Sequence, residues 1–424
     1  MGYDPKHALL VGVIMPEDTN TDYEESLHEL AELAANLDYT VKSSILLKLR
    51  KPQARFLVGP GKAEEIMALA EENQCGTIVF DEPLLPSQQR NWEKASEINV
   101  IDRQEIILDI FADRAQTKEA VLQVELARLQ YELPRMKRLW THLDRQRGGG
   151  AVQRGEGEAQ IEIDQRLIRK RIAKVKTELE QVVKRRGVQR KLRRKVPVPT
   201  AAIVGYTNAG KSTLLNRLTG SEVLAADKLF ATLDPTSRKL HLPSGRNFVA
   251  TDTVGFVRRL PHRLIQAFKA TLEEALVADV LIHVLDASNP AAPAHFKTTL
   301  EVLAELHANE KPRITVFNKS DLLGCDTLRW ELKHLVPDGI FLSAQTGEGA
   351  EALLQALEDH LRRAPVLTQV LLPYDQYDLV AQLHKTGSIQ KEEDLDDGIH
   401  LLLHDIPPHL TSRIEPFQTH VQAP

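Results

Sequence analysis

The run Gly205-Tyr206-Thr207-Asn208-Ala209-Gly210-Lys211-Ser212-Thr213 carries the Walker A spacing. That spacing suits an anion. Its glycines let backbone N–H groups come close to a phosphate, and the N-terminus of a following helix adds partial positive charge. Lys211 is placed to reach the β- and γ-phosphates, and Ser212 offers a hydroxyl to Mg²⁺. The required context is present: the apolar run Ala201–Val204 reads as a strand and Thr213–Leu218 as a helix. A Gly-rich turn with no ligand is the bland alternative, and the flanking strand and helix argue against it.

Three further strings select the nucleotide. Asp252-Thr253-Val254-Gly255 lies about 40 residues downstream, after the strand-like Asn247–Ala250. An Asp there holds Mg²⁺ through water, and Gly255 lets a backbone N–H face the γ-phosphate. Asn318-Lys319-Ser320-Asp321 follows the apolar strand Arg313–Phe317. A carboxylate at Asp321 can accept both guanine N1–H and the exocyclic NH₂, a pair that adenine lacks. Lys319 can lay its stem over the base, and Asn318 can tie this loop to the P-loop. Ser343-Ala344-Gln345 comes next, with the Ala344 N–H expected to meet guanine O6. The ligand read from these residues is GTP with Mg²⁺. Between the P-loop helix and the next strand, Phe230-Ala231-Thr232-Leu233-Asp234 is expected to contact nucleotide, with Thr232 preferred over Thr236 as the Mg²⁺ hydroxyl. The metal set is thus Ser212, Thr232 and Asp252, and the catalytic set Lys211, Thr232 and Gly255. Many GTPases place a glutamine after the glycine to orient the attacking water. Here Phe256 stands there, so hydrolysis is expected to be slow without a partner. Asn208 admits either a loop-bracing role or help from a bound K⁺.

These residues need a sheet to position them, and the chain alternates strand-like and helix-like segments around them. We expect a multidomain α/β protein. Residues 1–112 form an N-terminal α/β domain and 113–195 an antiparallel helical hairpin with a Gly-rich loop. Residues 196–365 form a doubly wound P-loop domain and 366–424 a small α+β domain. The hairpin rests on two apolar seams of heptad spacing: Leu122, Leu126, Leu129, Leu133, Met136, Trp140 and Leu143, then Ile161, Ile168, Ile172, Val175, Leu179 and Val182. Pro134 should kink or split the first arm. The second arm, Arg166 to Lys195, holds fourteen Lys or Arg against two Glu, inside a chain whose net charge is -5. Such a single-sign run is a solvated face or a seat for phosphate backbone, and its density favours nucleic acid. Two cysteines make no metal or disulfide pattern, and no apolar run reaches the ~18 residues that cross a bilayer. We expect a cytoplasmic monomer, at most peripheral to membranes.

The chain resembles the HflX family of GTPases over nearly its whole length. The resemblance rests on Leu229–Thr236, Asp252–Phe256, Leu260-Pro261-His262 and Ala270–Glu274. It rests equally on Val58–Lys62, Pro86–Asn91, Ile101-Asp102-Arg103, Asp109–Ala112, Gln123–Ala127 and Leu133-Pro134-Arg135. It implies binding to the large ribosomal subunit and its rRNA, GTPase stimulation there, and splitting or rescue of stalled ribosomes. The RNA contacts it suggests are Arg145, Arg147 and Arg154 in the loop and Arg185, Arg186, Arg190, Lys191, Arg193 and Arg194 on the basic arm. Two departures stand out. Arg154-Gly155-Glu156-Gly157-Glu158-Ala159 replaces the family's Arg-Gly-Pro-Gly-Glu-Thr, and Arg259 and Arg263 occupy positions where acidic residues are common. Alternatives are a ribosome-assembly GTPase, a GTP-regulated scaffold, and an ATP-driven RNA remodeller working through Gly59-Pro60-Gly61-Lys62-Ala63. That last string lacks the upstream glycine and the Ser or Thr of a Walker A. His283, Trp92 and Trp140 read as packing residues.

Overall fold

The computed structural model describes residues 3–16, 23–135, 154–193, 198–220, 229–230, 232–258, 276–324, 326–363, 368–386, 388–395, 397–403, 406, 410 and 413–417. In 154–162, 185–193, 362–363, 368 and 390 this covers the backbone alone. The first sheet is wholly parallel, in the order β2-β1-β3-β4: β1 (Asp4–Ile14), β2 (Thr40–Lys48), β3 (Cys75–Phe80) and β4 (Asn99–Asp102). Crossovers run through α1 (Tyr23–Asn36), α2 (Pro60–Glu72) and α3 (Pro86–Ser96), and α4 (Arg103–Arg114) follows β4. Parallel strands covered on both faces need continuous apolar runs, and Ala8–Val13 supplies one, with its side-chain-bearing residues buried. Trp92 is a packing residue as expected: it is buried between Phe56 and Phe80, and its indole N–H donates to Phe56 O at 2.9 Å.

The hairpin arms are α5 (Lys118–Glu132) and α6 (Arg154–Arg193). Their seams meet as the spacing predicts: Leu122 and Leu126 pack on Val175, flanked by Leu129, Ile172, Leu179 and Val182. The ion pair between Arg171 and Glu125 ties the arms outside the seam. Around Pro134, α5 stops at Glu132 and residues Leu133–Arg135 form a 3-10 turn; the first arm beyond Arg135 lies outside the described residues. Helix α6 begins at Arg154 and so includes Gly155 and Gly157, which the glycine-rich run Asp144–Gln160 places in the loop. Glu156, Glu158 and Ala159 explain this: they are good helix formers, and acidic residues suit a first turn. Arg145, Arg147, Trp140 and Arg194 lie outside the described residues, and the side chains of Arg154, Arg185, Arg186, Arg190, Lys191 and Arg193 do too.

The second sheet has the order β10-β9-β8-β5-β7-β6. It comprises β5 (Thr200–Gly205), β6 (Thr236–His241), β7 (Asn247–Asp252), β8 (Val280–Asp286), β9 (Arg313–Asn318) and β10 (Ile340–Phe341). Only the edge pair β6–β7 is antiparallel. Its helices are α7 (Lys211–Thr219), α8 (Ala292–Glu305), α9 (Asp326–Leu335) and α10 (Ala350–Arg363). His283 in β8 is fully buried and stacks on Phe296, and burial drops its pKa to about 3, so it packs as a neutral ring. A third, antiparallel sheet, β11-β13-β12, joins β11 (Thr368–Leu372), β12 (Ile389–Leu395) and β13 (Gly398–Leu403) to α11 (Tyr377–Thr386). One apolar core runs unbroken from the first sheet to the second: Leu30, Ile107 and Phe111 share it with Phe230, Leu233, Val254 and Phe256.

Candidate functional site: a nucleotide cleft built on the second sheet

The C-terminal ends of β5, β7 and β9 converge on one cleft, where a doubly wound sheet places its ligands. β5 ends at Gly205, and the chain turns through Tyr206–Gly210 into α7. Gly210 has φ 87, and a Cβ there would sit 2.2 Å from Asn318 Nδ2, so only glycine fits. Lys211 is 7% exposed and donates from Nζ to Tyr206 O at 2.7 Å. Burial pulls its pKa down to about 8, against the upward pull of Asp252. Gly255 faces the same spot, since a Cβ on it would meet Lys211 Nζ and Thr207 at 2.8 Å.

The three residues expected to serve a metal come together. Ser212 Oγ donates to Asp252 Oδ2 at 2.6 Å and lies 2.9 Å from Thr232 Oγ1. Asp252 Oδ1 is buried without a partner, and so is Thr207 Oγ1. Burial raises the Asp252 carboxyl, and the Lys211 ammonium opposes this. Two hydroxyls and a carboxylate with a spare oxygen form a hard donor set that suits Mg²⁺. Thr236 instead leads β6, its hydroxyl reaching only Asp234 O, which supports the preference for Thr232.

Other residues expected at the nucleotide turn elsewhere. Phe230 and Leu233 are buried in the core shared with the first domain, and Phe230 packs edge-on against Phe111 at 4.6 Å. Both oxygens of Asp234 are committed to the start of α5: Oδ2 accepts from Gln116 and Thr117 N–H at 3.0 Å, and Oδ1 from Thr117 Oγ1 at 2.5 Å. Large apolar side chains and a helix-capping carboxylate find better partners in that domain than in a polar phosphate site. Ala231 lies outside the described residues. Thr253 donates to Ile203 O at 2.7 Å and Val254 joins the shared core, so both side chains face away from the cleft. Phe256 is also in that core, 1% exposed, and its backbone bonds to Gly205 and Thr207.

The base end is lined by Gly210, Thr213, Asn318, Lys319, Asp321, Leu322, Ala344 and Gln345. Asn318 ties the loops together as expected: Nδ2 donates to Ala209 O at 2.8 Å and Oδ1 accepts from Ala344 N–H at 2.9 Å. That second bond spends the Ala344 donor expected to meet guanine O6. Lys319 pairs with Asp286 at 2.7 Å across the cleft floor. Ser320 starts a 3-10 turn and Ser343 Oγ accepts from Thr346 N–H, so both brace their loops. Asn208 holds the turn in a left-handed conformation at φ 58.

Sequence reasoning missed the part that Tyr206 plays. Its ring stacks on His295 at 3.7 Å, and its hydroxyl donates to Glu29 of α1 at 2.8 Å. No local pattern signals such a contact, which spans two domains. The Gly59–Ala63 string, weighed as a second phosphate loop, starts a helix. Gly59 caps α2, nothing crowds Gly59 or Gly61, and Lys62 pairs with Glu65 at 2.6 Å.

Four family models match in sequence order. They are GTP-binding GTPase N-terminal over 24–112, GTP-binding GTPase Middle Region over 114–193, 50S ribosome-binding GTPase over 200–319 and HflX C-terminal domain over 334–409. The GTPase HflX of Akkermansia muciniphila is 48% identical, covering 97% of each chain. The chain belongs to the HflX family of GTPases. The GTPase HflX of Escherichia coli is 42% identical over 93% of this chain and 92% of its own. Among solved structures, a GTP-binding protein of Sulfolobus solfataricus in complex with GDP aligns at 26% identity over 84% of this chain and 98% of its own, with a TM-score of 0.44. As an HflX-family GTPase the chain hydrolyses GTP. Among the described residues no helix is long and apolar enough to cross a membrane.

Proposed function

We propose that this GTPase binds the large ribosomal subunit and couples GTP binding and hydrolysis to the splitting of stalled ribosomes. One observation carries the reading: the segment that must sense the γ-phosphate, Leu229–Asp234, is packed on the domain that bears the basic hairpin. Nucleotide state and the nucleic-acid-facing arm therefore share one set of contacts. The family description, a 50S ribosome-binding GTPase, supports the choice of partner.

At the site, backbone N–H groups of 206–211 and the Lys211 ammonium take the β- and γ-phosphates. Ser212, Thr232 and Asp252 would hold Mg²⁺, which neutralises charge on the transferring phosphoryl group. Gly255 offers its N–H to the γ-phosphate. Asp321 accepts the two guanine donors, Lys319 covers the base, and Gln345 N–H, not the committed Ala344 N–H, donates to O6. Phe256 is buried and apolar, so it cannot align the attacking water. A ribosomal partner supplies that alignment and raises the rate.

The test mixes the full chain with intact ribosomes carrying an empty decoding site and resolves subunits by sedimentation. Free subunits should form with GTP and with a non-hydrolysable analogue, and not with GDP. Binding to large-subunit precursors without release of subunits from whole ribosomes would instead identify an assembly factor.

A further inference from the structure

Tyr206 sits inside the phosphate-binding turn yet spends its side chain on another domain. Its ring is 4% exposed and lies flat on His295, with 9° between the planes. Its hydroxyl does two things at once. It donates to Glu29 Oε1 of α1, and it accepts the backbone N–H of Arg258 at 2.8 Å. Arg258 is three residues beyond Gly255, so this bond fixes the start of the segment that faces the γ-phosphate. The Arg258 guanidinium continues to Glu25 of α1 at 3.1 Å.

Glu29 is itself held. Its other oxygen meets Arg103 at 3.2 Å, and Arg103 pairs with Asp81 and donates to Ser26 O at 2.8 Å. Ser26 Oγ closes the ring on Asp81 at 2.7 Å. Glu29, Asp81 and Arg103 are all buried. A buried, fully bonded network has little slack, and losing one member leaves others unpaired. The phenol is thus the point where a buried network in the first domain meets the phosphate-binding turn and the segment after Gly255. Lys211 Nζ also bonds the carbonyl of the same residue, so the tyrosine's placement bears on the P-loop lysine.

We propose that Tyr206 is a positioning residue whose hydroxyl, bridging Glu29 and the Arg258 N–H, holds the segment after Gly255 in its working geometry only while the N-terminal domain is seated on the P-loop. Movement of that domain on a partner then reaches the γ-phosphate end of the cleft without altering the base end. This rests on the reading of Gly255 and Lys211 as γ-phosphate contacts, which the effect of Lys211→Ala on GTP affinity tests by itself.

The decisive variant is Tyr206→Phe in the full chain. Phenylalanine keeps the stacked ring and the P-loop backbone and deletes only the hydroxyl. Steady-state GTP hydrolysis should show kcat lowered about ten-fold, with KM for GTP within about two-fold. A purely structural hydroxyl would lower the melting temperature and leave that split unmoved. In a double-mutant cycle, adding Tyr206→Phe to Glu29→Leu, which removes the acceptor, should cost much less than it does alone, because both act through one bond. Wild-type kcat in folded Tyr206→Phe, or full additivity with Glu29→Leu, overturns the proposal. Should Tyr206→Phe not fold, Glu29→Leu alone decides: a drop in kcat at constant KM supports the coupling, and an unchanged kcat removes it.

Discussion

Lys211 is the residue whose chemistry is most exposed to test. Burial pulls its pKa from 10.5 to about 8, against the pull of Asp252. The ligand-free folded chain therefore gives up this proton before the unfolded chain does, so the residue's contribution to stability rises with pH between about 8 and 10.5. A bound triphosphate reverses the shift by favouring the ammonium. GTP binding should then take up more than roughly half a proton at about pH 8.5 and close to none from this group at pH 7, which calorimetry in buffers of differing ionisation enthalpy measures. No uptake at the higher pH would mean that Lys211 is charged before the nucleotide arrives. The chemical identity of this residue was legible because its role is local: spacing, a strand and a helix place it. The convergence of Ser212, Thr232 and Asp252 followed from the same spacing. The competing claim of Asn318 on Ala344 N–H was not legible, since a side-chain carbonyl and a base carbonyl look alike to that donor.

At the scale of elements, the segment Phe230–Asp234 has two faces. Thr232 looks into the cleft, while Phe230, Leu233 and Asp234 look toward α4 and α5. Two large apolar residues flanking a threonine hinted at a packed face, but a motif taken whole hides which member points where. Asp234 both satisfies free N–H groups at the start of α5 and complements its dipole. Replacing it with alanine should loosen that helix start. Amide exchange of Thr117 and Ala120 should quicken about five-fold, as for loss of a helix cap, while Asp234→Asn, which keeps an acceptor, should change it less. Exchange in Asp234→Ala equal to the parent chain's would show that the cap is inert in solution. Strand β12 carries no strand-like pattern in the sequence, for a different reason. Its sequence, Ile389–Leu395, is mostly charged because it lies at a sheet edge with little to bury, so no alternation announces it. The hairpin arms meet at Leu122, Leu126 and Val175, while Gly155 and Gly157 lie in α6, where the surrounding glutamates outweigh the low helix propensity of glycine.

Across the whole molecule, the nucleotide cleft and the first domain share one core and one polar network. Phe256, read from sequence as a missing hydrogen bond, turns out to be a gain elsewhere: its ring fills the core beside Val254 and Val257. The residue that stands where many GTPases place a glutamine thus packs the G domain against its neighbour. Periodicity along a chain reports the face a segment buries and is silent about which distant segment covers it, so neither this seam nor the Tyr206–Glu29 bond could be read in advance. A site with Phe256 after Gly255, clamped to the domain that carries the basic hairpin, should on the proposed reading wait for its partner. The direct measurement is steady-state GTP turnover by the full chain with and without purified large ribosomal subunits. The account predicts slow turnover alone and a rise of about ten-fold or more with large subunits, steeply reduced by added salt as phosphate contacts weaken. Equal rates in the two conditions would contradict it.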